Sequence, residues 1–310
     1  MKFGYFCNTT NWTHKPYHQL LDETKEITEF CDQNNWNSIW FTEHHFNHEG
    51  MESCTNPLML GADAAARTKN IRIGQAANVI TFHNPIRLAE DIATLDQLSK
   101  GRVEVGVARG VYGREAINLN KEADLKDQAK NFRLFAETLE ILKKAWSEKF
   151  FNHEGEFYTY PSPNYVWQHD MSPPSEEFMN MEDSTMKKIS VLPKPYQNPH
   201  PPIHQVVDGI RSIEWAAENN INVIKWIPTV KALKIRFEAY KNKRSEVTKK
   251  NVPLGEGVTL VRDMFVADTM EEAKEKAGEH MVNYMRWVCH WRGWVIIWIQ
   301  VKNCQRQSIN

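Results

Sequence analysis

The chain has 310 residues, a formal net charge of -1, and a composition that is 41% hydrophobic and 25% charged. These proportions are typical of a soluble globular protein, and a charge so near zero gives no electrostatic basis for binding nucleic acid or an anionic membrane surface. A single β/α barrel reaches this length, so we expect one domain over residues 1–310.

The cysteines and the lengths of the apolar runs indicate the cellular compartment. The five cysteines are widely spaced and form no C-x-x-C pair, which predicts neither a disulfide framework nor a zinc knuckle. The apolar run near the N-terminus is too short for a signal-peptide core, and none is long enough for a membrane span. We therefore expect a cytoplasmic protein without nucleic-acid or membrane partners.

Strands and helices alternate along the first third of the chain. Apolar, β-prone runs predict strands at residues 2–7, 38–42, 71–81 and 102–108, and helical spacing predicts helices at residues 17–34, 58–67 and 85–99. Pro57 is well placed for a helix start. Such alternation indicates parallel strand pairing with right-handed crossovers.

The alternation resumes after one long interruption. A helix is predicted at residues 132–146, and residues 150–202 then form a Pro-rich insertion of the kind that usually serves as a lid. Further strands are predicted at residues 203–208, 222–227 and 257–266, with helices at 210–219, 230–247 and 270–285. Seven such units favour an α/β fold of the TIM-type (β/α)8 barrel class over a doubly wound open sheet.

The C-terminal end does not supply a regular eighth unit. Residues 291–301 are rich in Trp and Ile, and no final helix can follow them within the remaining polar tail. This incomplete or atypical end predicts either an unaided eighth strand or the product of a truncated or altered reading frame. An apolar strand left uncovered is normally buried by another chain, so we expect a homo- or heterodimer.

The residues that point to chemistry follow the second strand. The apolar run that begins at Ser38 stops at Glu43, His44 and His45. In a parallel barrel, the carboxyl end of a strand is the default place for catalytic groups, and histidine exchanges protons near neutral pH. A solvated strand end would explain the same residues without catalysis.

Several motifs together resemble the bacterial luciferase-like family of flavin-dependent monooxygenases. They are residues 1–4 (MKFG), 42–46 (TEHHF), 74–77 (GQAA), 95–102 (LDQLSKGR), 106–112 (GVARGVY) and 212–217 (SIEWAA), in order and at family-like spacing over about residues 1–290. The resemblance implies a barrel that binds reduced FMN and uses O2 to oxygenate a small, apolar aldehyde, ketone or hydrocarbon through a flavin C4a-hydroperoxide. A separate NAD(P)H-dependent flavin reductase would supply the reduced flavin.

The resemblance also assigns site residues. It implies a catalytic role for His44, a place at the flavin ring edge for Glu43, and a cis peptide under the ring at Ala76–Ala77. It places the flavin phosphate at Arg109 and at the turn that opens the fifth helix. The full set of implied cofactor contacts is Phe6, Glu43, Ala77, Ala108, Arg109, Asp208, Gly209, Ser212 and Trp226. Ala108 replaces the reactive cysteine of light-emitting subunits, which argues against light emission.

Other interpretations of these residues stay open. Arg109 suits a surface ion pair as well as a phosphate, Ser212 is an ordinary early-helix serine, and buried aromatics such as Phe6 and Trp226 are mostly core. The chain could instead be a non-catalytic flavin-binding or partner subunit. A metal-dependent hydrolase is a third possibility, because residues 43–49 are dense in Glu and His. We expect no metal, since adjacent histidines on a strand point to opposite faces.

Overall fold

The computed structural model describes residues 1–226 and 229–292 of the chain. Its first third contains five strands and three long helices, as follows: β1 (Gly4–Cys7), α1 (Tyr17–Gln33), β2 (Ser38–Phe41), α2 (Pro57–Arg67), β3 (Arg72–Gln75), β4 (Asn78–Val79), α3 (Pro85–Ser99) and β5 (Val103–Ala108). The later elements are α4 (Gly113–Leu119), α5 (Gln128–Ser147), β6 (His153–Glu154), β7 (Thr159–Tyr160), β8 (Ile203–Val206), α6 (Ile210–Glu218), β9 (Asn222–Trp226), α7 (Val230–Thr248), β10 (Val258–Val261) and α8 (Met270–Arg292).

A parallel sheet forms the centre of the protein. Its strands follow the order β1, β2, β3, β5, β8, β9, β10, and β4 also pairs with β5. The register is regular, with Gly4 opposite Ser38 and Ser38 opposite Arg72. The sheet curves into a nearly closed barrel with helices outside it, which confirms the predicted β/α barrel.

The apolar core lies between the sheet and the helices. Ile39 and Phe41 of β2 and Ile73 of β3 are at most 1% exposed, and they belong to the same cluster as Leu88 and Ile92 of α3. Each such fully buried side chain contributes about 1.5–3 kcal/mol to the hydrophobic stabilisation. Burial on both faces, as at all four residues of β2, agrees with the continuous apolar runs from which the strands were predicted.

Asparagine and proline set the starts of two helices. Pro57 opens α2, and the side chain of Asn56 accepts a hydrogen bond from the Met59 N–H. Pro85 opens α3 in the same way, and Asn84 accepts from the N–H groups of Ile86 and Arg87. These caps satisfy amide donors that a helix cannot bond internally, and they confirm the helix starts expected from the sequence.

The inner face of the barrel floor is polar. The Trp40 ring lies edge-on to His204 with 5.1 Å between centroids, and His204 Nε2 lies 2.7 Å from Glu104 Oε2. Glu104 also forms an ion pair with Arg72. Burial by itself would raise the pKa of Glu104. His204 and Arg72 lower that pKa by more than burial raises it, so the pKa of Glu104 lies below its usual value. These residues lie at or near strand starts and fill the amino-terminal half of the barrel.

The prediction of one continuous strand over residues 71–81 is wrong. The segment divides into β3 and β4, and residues 80–82 form a single 3-10 turn. The cis peptide bond implied by the resemblance is present between Ala76 and Ala77, at the break. The Asn78 amide donates to Gln75 Oε1 (3.2 Å) and to Gly106 O (3.1 Å), and these bonds replace regular ladder bonds there. Gly106 is required because a Cβ atom would overlap the Gln75 carbonyl.

The connection between α5 and β8 follows the outside of the barrel. It contains the antiparallel pair β6–β7, in which His153 lies opposite Tyr160. Glu137 of α5 holds this pair, because its carboxylate accepts hydrogen bonds from the N–H groups of Glu156, Phe157 and Tyr158 at 2.8–3.1 Å. A side chain at Gly155 would overlap this carboxylate.

The end of the chain differs from the prediction in one respect. The last helix, α8, continues to Arg292 rather than ending near residue 285. The eighth strand expected within residues 291–301 lies almost entirely outside the described residues, as does the tail that follows it. Among the helices of the described ranges, none combines the length and the apolar character that a membrane crossing requires.

Candidate active site

Side chains that follow neighbouring strands meet at the carboxyl end of the barrel. The Thr42 hydroxyl, one residue after β2, donates to Asn8 Oδ1 (3.1 Å), one residue after β1. The Thr81 hydroxyl donates to the carbonyl of Arg109, directly after β5 (3.2 Å). The residues predicted from the strand tips therefore belong to one end of the molecule.

His44 lies between two buried carboxylates. Its Nε2 is 3.4 Å from Glu52 Oε2, and its Nδ1 is 3.4 Å from Glu115 Oε1. The side chains of Glu52 and Glu115 are 2% and 0% exposed, against 12% for His44. The His44 backbone N–H donates to the Cys54 carbonyl at 2.7 Å, which fixes the chain beneath the ring. An imidazole held in this way can exchange a proton near neutral pH in a defined orientation.

Glu43 is held by protein groups on both carboxylate oxygens. Oε1 lies 3.0 Å from His45 Nε2 and 2.8 Å from His83 Nε2, while Oε2 accepts from the Val79 N–H at 2.6 Å. Burial by itself would raise the pKa of Glu43. These hydrogen bonds lower it by more than burial raises it, so the pKa lies below the ordinary value. Burial lowers the pKa of His83, but Glu43 raises it above the usual value. Glu43 thus joins the end of β2 to β4. His45 contacts the carboxylate of Glu43, whereas His44 contacts those of Glu52 and Glu115.

Arg109 is a partly buried cation close to α5 and α6. Its Nη1 donates to the Gln128 carbonyl (3.4 Å), and its guanidinium lies 5.7 Å from the centroid of the Phe132 ring. Phe132 in turn contacts Trp215 of α6. Among the described residues no carboxylate forms an ion pair with Arg109, and burial lowers the pKa of its guanidinium. Such a cation is suited to an anionic ligand.

The turn from β8 into α6 is held by two basic side chains of neighbouring elements. The Asp208 carboxylate forms an ion pair with Lys225 of β9, whose side chain is only 5% exposed, and the Asp208 carbonyl accepts from Arg236 Nε (3.1 Å). Gly209 is the N-cap residue of α6 and Ser212 lies in its first turn, with no side chain capping the helix. The first N–H groups of such a helix favour an anion.

The remaining predicted residues are distributed over the same end. Phe6 of β1 is half-buried beside Trp40, and Ala77 is 6% exposed at the cis bond. Ala108 ends β5 opposite Val79. Trp226 ends β9, and its indole N–H donates to Asp263 (3.3 Å). All four therefore lie at or near strand ends.

A family model described as luciferase-like monooxygenase matches residues 1–307. The chain belongs to this family. The relatives of this luciferase-like chain include the oxygenase component of flavin-dependent trigonelline monooxygenase from Acinetobacter baylyi, which is 28% identical over 86% of the chain. They also include the alkanal monooxygenase beta chain of Photorhabdus laumondii, which is 30% identical over 73% of the chain.

Solved structures give the same fold. Monooxygenase RslO1 from Streptomyces bottropensis has a TM-score of 0.76 at 24% identity, covering 96% of this chain and 81% of that one. The oxygenating constituent of 3,6-diketocamphane monooxygenase from Pseudomonas putida, a type II Baeyer-Villiger monooxygenase in complex with FMN, has a TM-score of 0.75 at 24% identity, covering 96% and 76%. The matches span 65% of the trigonelline monooxygenase component and 60% of the beta chain, which is less than two thirds of either.

The ligand-type residues of the segment 43–49 pair with different partners and do not converge on one point. His44 turns to Glu52 and Glu115, His45 turns to Glu43, and Glu49 pairs with Arg114 at 2.9 Å. Within residues 1–226 and 229–292, no three Asp, Glu, His or Cys side chains are grouped as metal ligands. This arrangement gives the hydrolase alternative no geometric support.

Sequence reasoning missed four residues of this luciferase-like site, namely Glu52, His83, Glu115 and Lys225. Glu52 and His83 lie in connecting segments, and Glu115 begins a short helix that was not predicted. A lysine inside an otherwise apolar strand, as in residues 221–227, was the one signal that could have been used, since a buried lysine requires a partner.

Proposed function

We propose that this luciferase-like protein is a flavin-dependent monooxygenase that uses reduced FMN and O2 to oxygenate a small, apolar organic substrate. The observation that carries the proposal is His44, held between two buried carboxylates at the barrel end that also contains Arg109. Relatives named for an alkanal and for 2,5-diketocamphane support an apolar carbonyl substrate. How the oxygen atom reaches the substrate stays the prediction made from the sequence.

The residues of this end fit a flavin phosphate. Arg109 is a partly buried cation without a carboxylate partner among the described residues, and its neighbour Phe132 contacts Trp215 of α6, a helix whose N-terminus has no side-chain cap. Arg109, Gly209 and Ser212 would hold the phosphate through charge and N–H or O–H donors. The Asp208 carboxylate is neutralised by Lys225, so in this proposal Asp208 supports the turn instead of binding the anion.

The protein groups around the ring site would orient it and manage protons. Phe6, Ala77, Ala108 and Trp226 would line the flavin ring, while the hydrogen bond from Val79 to Glu43 holds the end of β2 close to β4. When bound, reduced FMN supplies the electrons that activate O2. His44 would give or accept a proton at its ring nitrogens, and its own low exposure, 12%, would limit its contact with water.

Four predictions about partners and organisation belong to the same proposal. One relative is named an oxygenase component, which supports a separate NAD(P)H-dependent flavin reductase as the source of reduced flavin. Relatives named as alpha and beta chains support a homo- or heterodimer. The single-domain organisation and the lid role of residues 150–202 stay predictions.

The substitution His44→Ala tests this proposal. The variant should keep its fold and its affinity for FMN. Titration with oxidised and with reduced FMN, monitored by flavin absorbance, measures that affinity. It should lose at least about a hundredfold in product formation, the scale expected for a general acid or base. Unchanged product yield would overturn the assignment of His44. Flavin binding by the wild-type chain with no oxygenation at all would favour the non-catalytic subunit.

A further inference from the structure

Glu52 is a carboxylate at the barrel mouth to which neither the motifs nor the relatives' names give a role. It lies in the connection between β2 and α2, eight residues after His44, and only 2% of its side chain is exposed. One oxygen, Oε2, is 3.4 Å from His44 Nε2. A carboxylate is buried at this cost only where other groups stabilise its charge.

Two elements outside that connection bind this carboxylate, and a third is linked to it through one of them. The Tyr112 hydroxyl, at the N-cap of α4, donates to Oε2 at 2.7 Å. The Tyr284 hydroxyl, on α8, donates to Oε1 at 3.3 Å and accepts from the Asn8 amide at 3.1 Å. The network therefore joins His44 to α4, to α8 and to the end of β1.

The second carboxylate near His44 has a different attachment. Glu115 Oε1 lies 3.4 Å from His44 Nδ1 and accepts the backbone N–H of His45 at 2.7 Å. The nearby guanidinium of Arg114 lies 6.0 Å from the Tyr112 ring and pairs with Glu49, farther along the same connection. Glu115 therefore binds the local backbone, whereas Glu52 connects the imidazole to α8 through a hydrogen bond from Tyr284.

We propose that Glu52 is a positioning residue for His44, which fixes the orientation and the protonated form of the imidazole and ties both to α8 through Tyr284. The proposal deepens the proposed function and rests on it for the catalytic meaning of His44. The effect of Glu52 on His44 can be measured without any catalytic turnover. A negative charge 3.4 Å from an imidazole stabilises the imidazolium, so its removal must lower the pH at which His44 titrates.

The test is a titration of His44 by NMR in the flavin-free protein, with the His44 signals assigned by their loss in His44→Ala. In Glu52→Gln, which keeps the shape and removes the charge, the midpoint should fall by about one pH unit or more. Glu49→Gln is the matched control, since it removes a carboxylate from the same connection that pairs with Arg114 and not with His44. This control should leave the midpoint within a few tenths of a unit.

A second variant keeps the proposal testable if Glu52→Gln does not fold. Tyr284→Phe removes one hydroxyl and leaves both carboxylates, so it should shift the His44 ring signals while the midpoint moves by less than about half a unit. Unmoved ring signals in this variant, or an unmoved midpoint in folded Glu52→Gln, would overturn the positioning role. If the midpoint moves and His44→Ala nevertheless retains full product yield, the proposed function fails while the linkage of Glu52 to His44 stands.

Discussion

At the scale of single residues, Arg109 shows how burial creates a requirement for a ligand. Its guanidinium is desolvated, and its contacts in the described part of the chain are the Gln128 carbonyl and the Phe132 ring. Both contacts are weaker than an ion pair, so the charge is left without full compensation. A phosphate at this point would supply it.

The substitution Arg109→Ala should weaken FMN binding by about 2–3 kcal/mol, the scale of a charge-assisted hydrogen bond lost from a partly buried site. Riboflavin, which lacks the phosphate, should bind about equally to both proteins. Fluorescence titration of the two ligands measures the difference. Arg133→Ala serves as the control, because Arg133 is 53% exposed on the same helix as Phe132 and pairs with Glu156. An equal loss for FMN and riboflavin would place the phosphate elsewhere.

At the scale of elements, the long connection before β8 is attached to α5 by several side chains, and Glu137 is the one that accepts three of its backbone N–H groups. Glu137 is 10% exposed and lies 3.1 Å from His153 Nε2 in addition to its three backbone donors. A carboxylate that accepts several N–H groups contributes more than a neutral acceptor, because each bond is charge-assisted. Glu137 is therefore the largely buried anchor of residues 156–158, beside the exposed pair of Arg133 with Glu156.

The substitution Glu137→Gln should loosen this anchor without unfolding the barrel, since an amide has one oxygen acceptor and brings an N–H₂ group against N–H donors. We expect hydrogen exchange at residues 156–158 to accelerate at least about tenfold while exchange in β5 and α3 is unchanged. Hydrogen-exchange mass spectrometry measures both. Glu122→Gln is the comparison, because Glu122 is 53% exposed and pairs with Lys130 of α5. Identical exchange in the two variants would show that Glu137 is not the anchor.

The elements also show what local pattern could predict. Helices α2 and α3 start where Pro57 and Pro85 predicted, because capping is decided within a few residues. The break between β3 and β4 could not be derived from pattern, since the Asn78 amide and the close approach of Gly106 involve another strand. The cis bond was placed by resemblance alone.

The candidate site divides in the same way. Residues that directly follow strands, such as His44 and Arg109, could be chosen from the sequence because a parallel barrel gathers strand ends. Glu52 and Glu115 could not, because their approach to His44 depends on how the connection after β2 and the helix α4 pack at the barrel mouth. Glu43 was assigned to the flavin edge, yet the structure shows its carboxylate bonded to His45, His83 and Val79, a set that no spacing rule predicts.

At the scale of the whole molecule, the Glu43–His83 pair makes stability depend on pH. The pKa of Glu43 is lowered from the ordinary 4.5, so its contribution is present above that pH and is lost as pH falls through the folded-state value. The pKa of His83 is raised from the ordinary 6.5, so its contribution is complete below that pH and is lost as pH rises through the folded-state value. Both contributions are complete only between about pH 4.5 and 6.5.

The substitution Glu43→Gln should therefore lower the free energy of unfolding by about 2–3 kcal/mol within that window, and by less on either side of it. The value is below that of a fully buried pair because the side chain of His83 is 37% exposed. Urea unfolding of both proteins at a series of pH values measures the difference. A penalty that does not vary with pH would mean that the His83 charge takes no part.

The protein as a whole unites a family-typical barrel with a histidine held between buried carboxylates and a partly buried arginine at one end. The most direct test of its proposed activity is isotope incorporation from ¹⁸O₂, in mixtures of the chain, FMN, NADH, a flavin reductase and panels of alkanals, ketones and hydrocarbons. The account predicts a product that carries a single labelled oxygen atom, formed only when the chain and reduced flavin are both present. Label that reaches only hydrogen peroxide and water, with no labelled product from any panel, would contradict it.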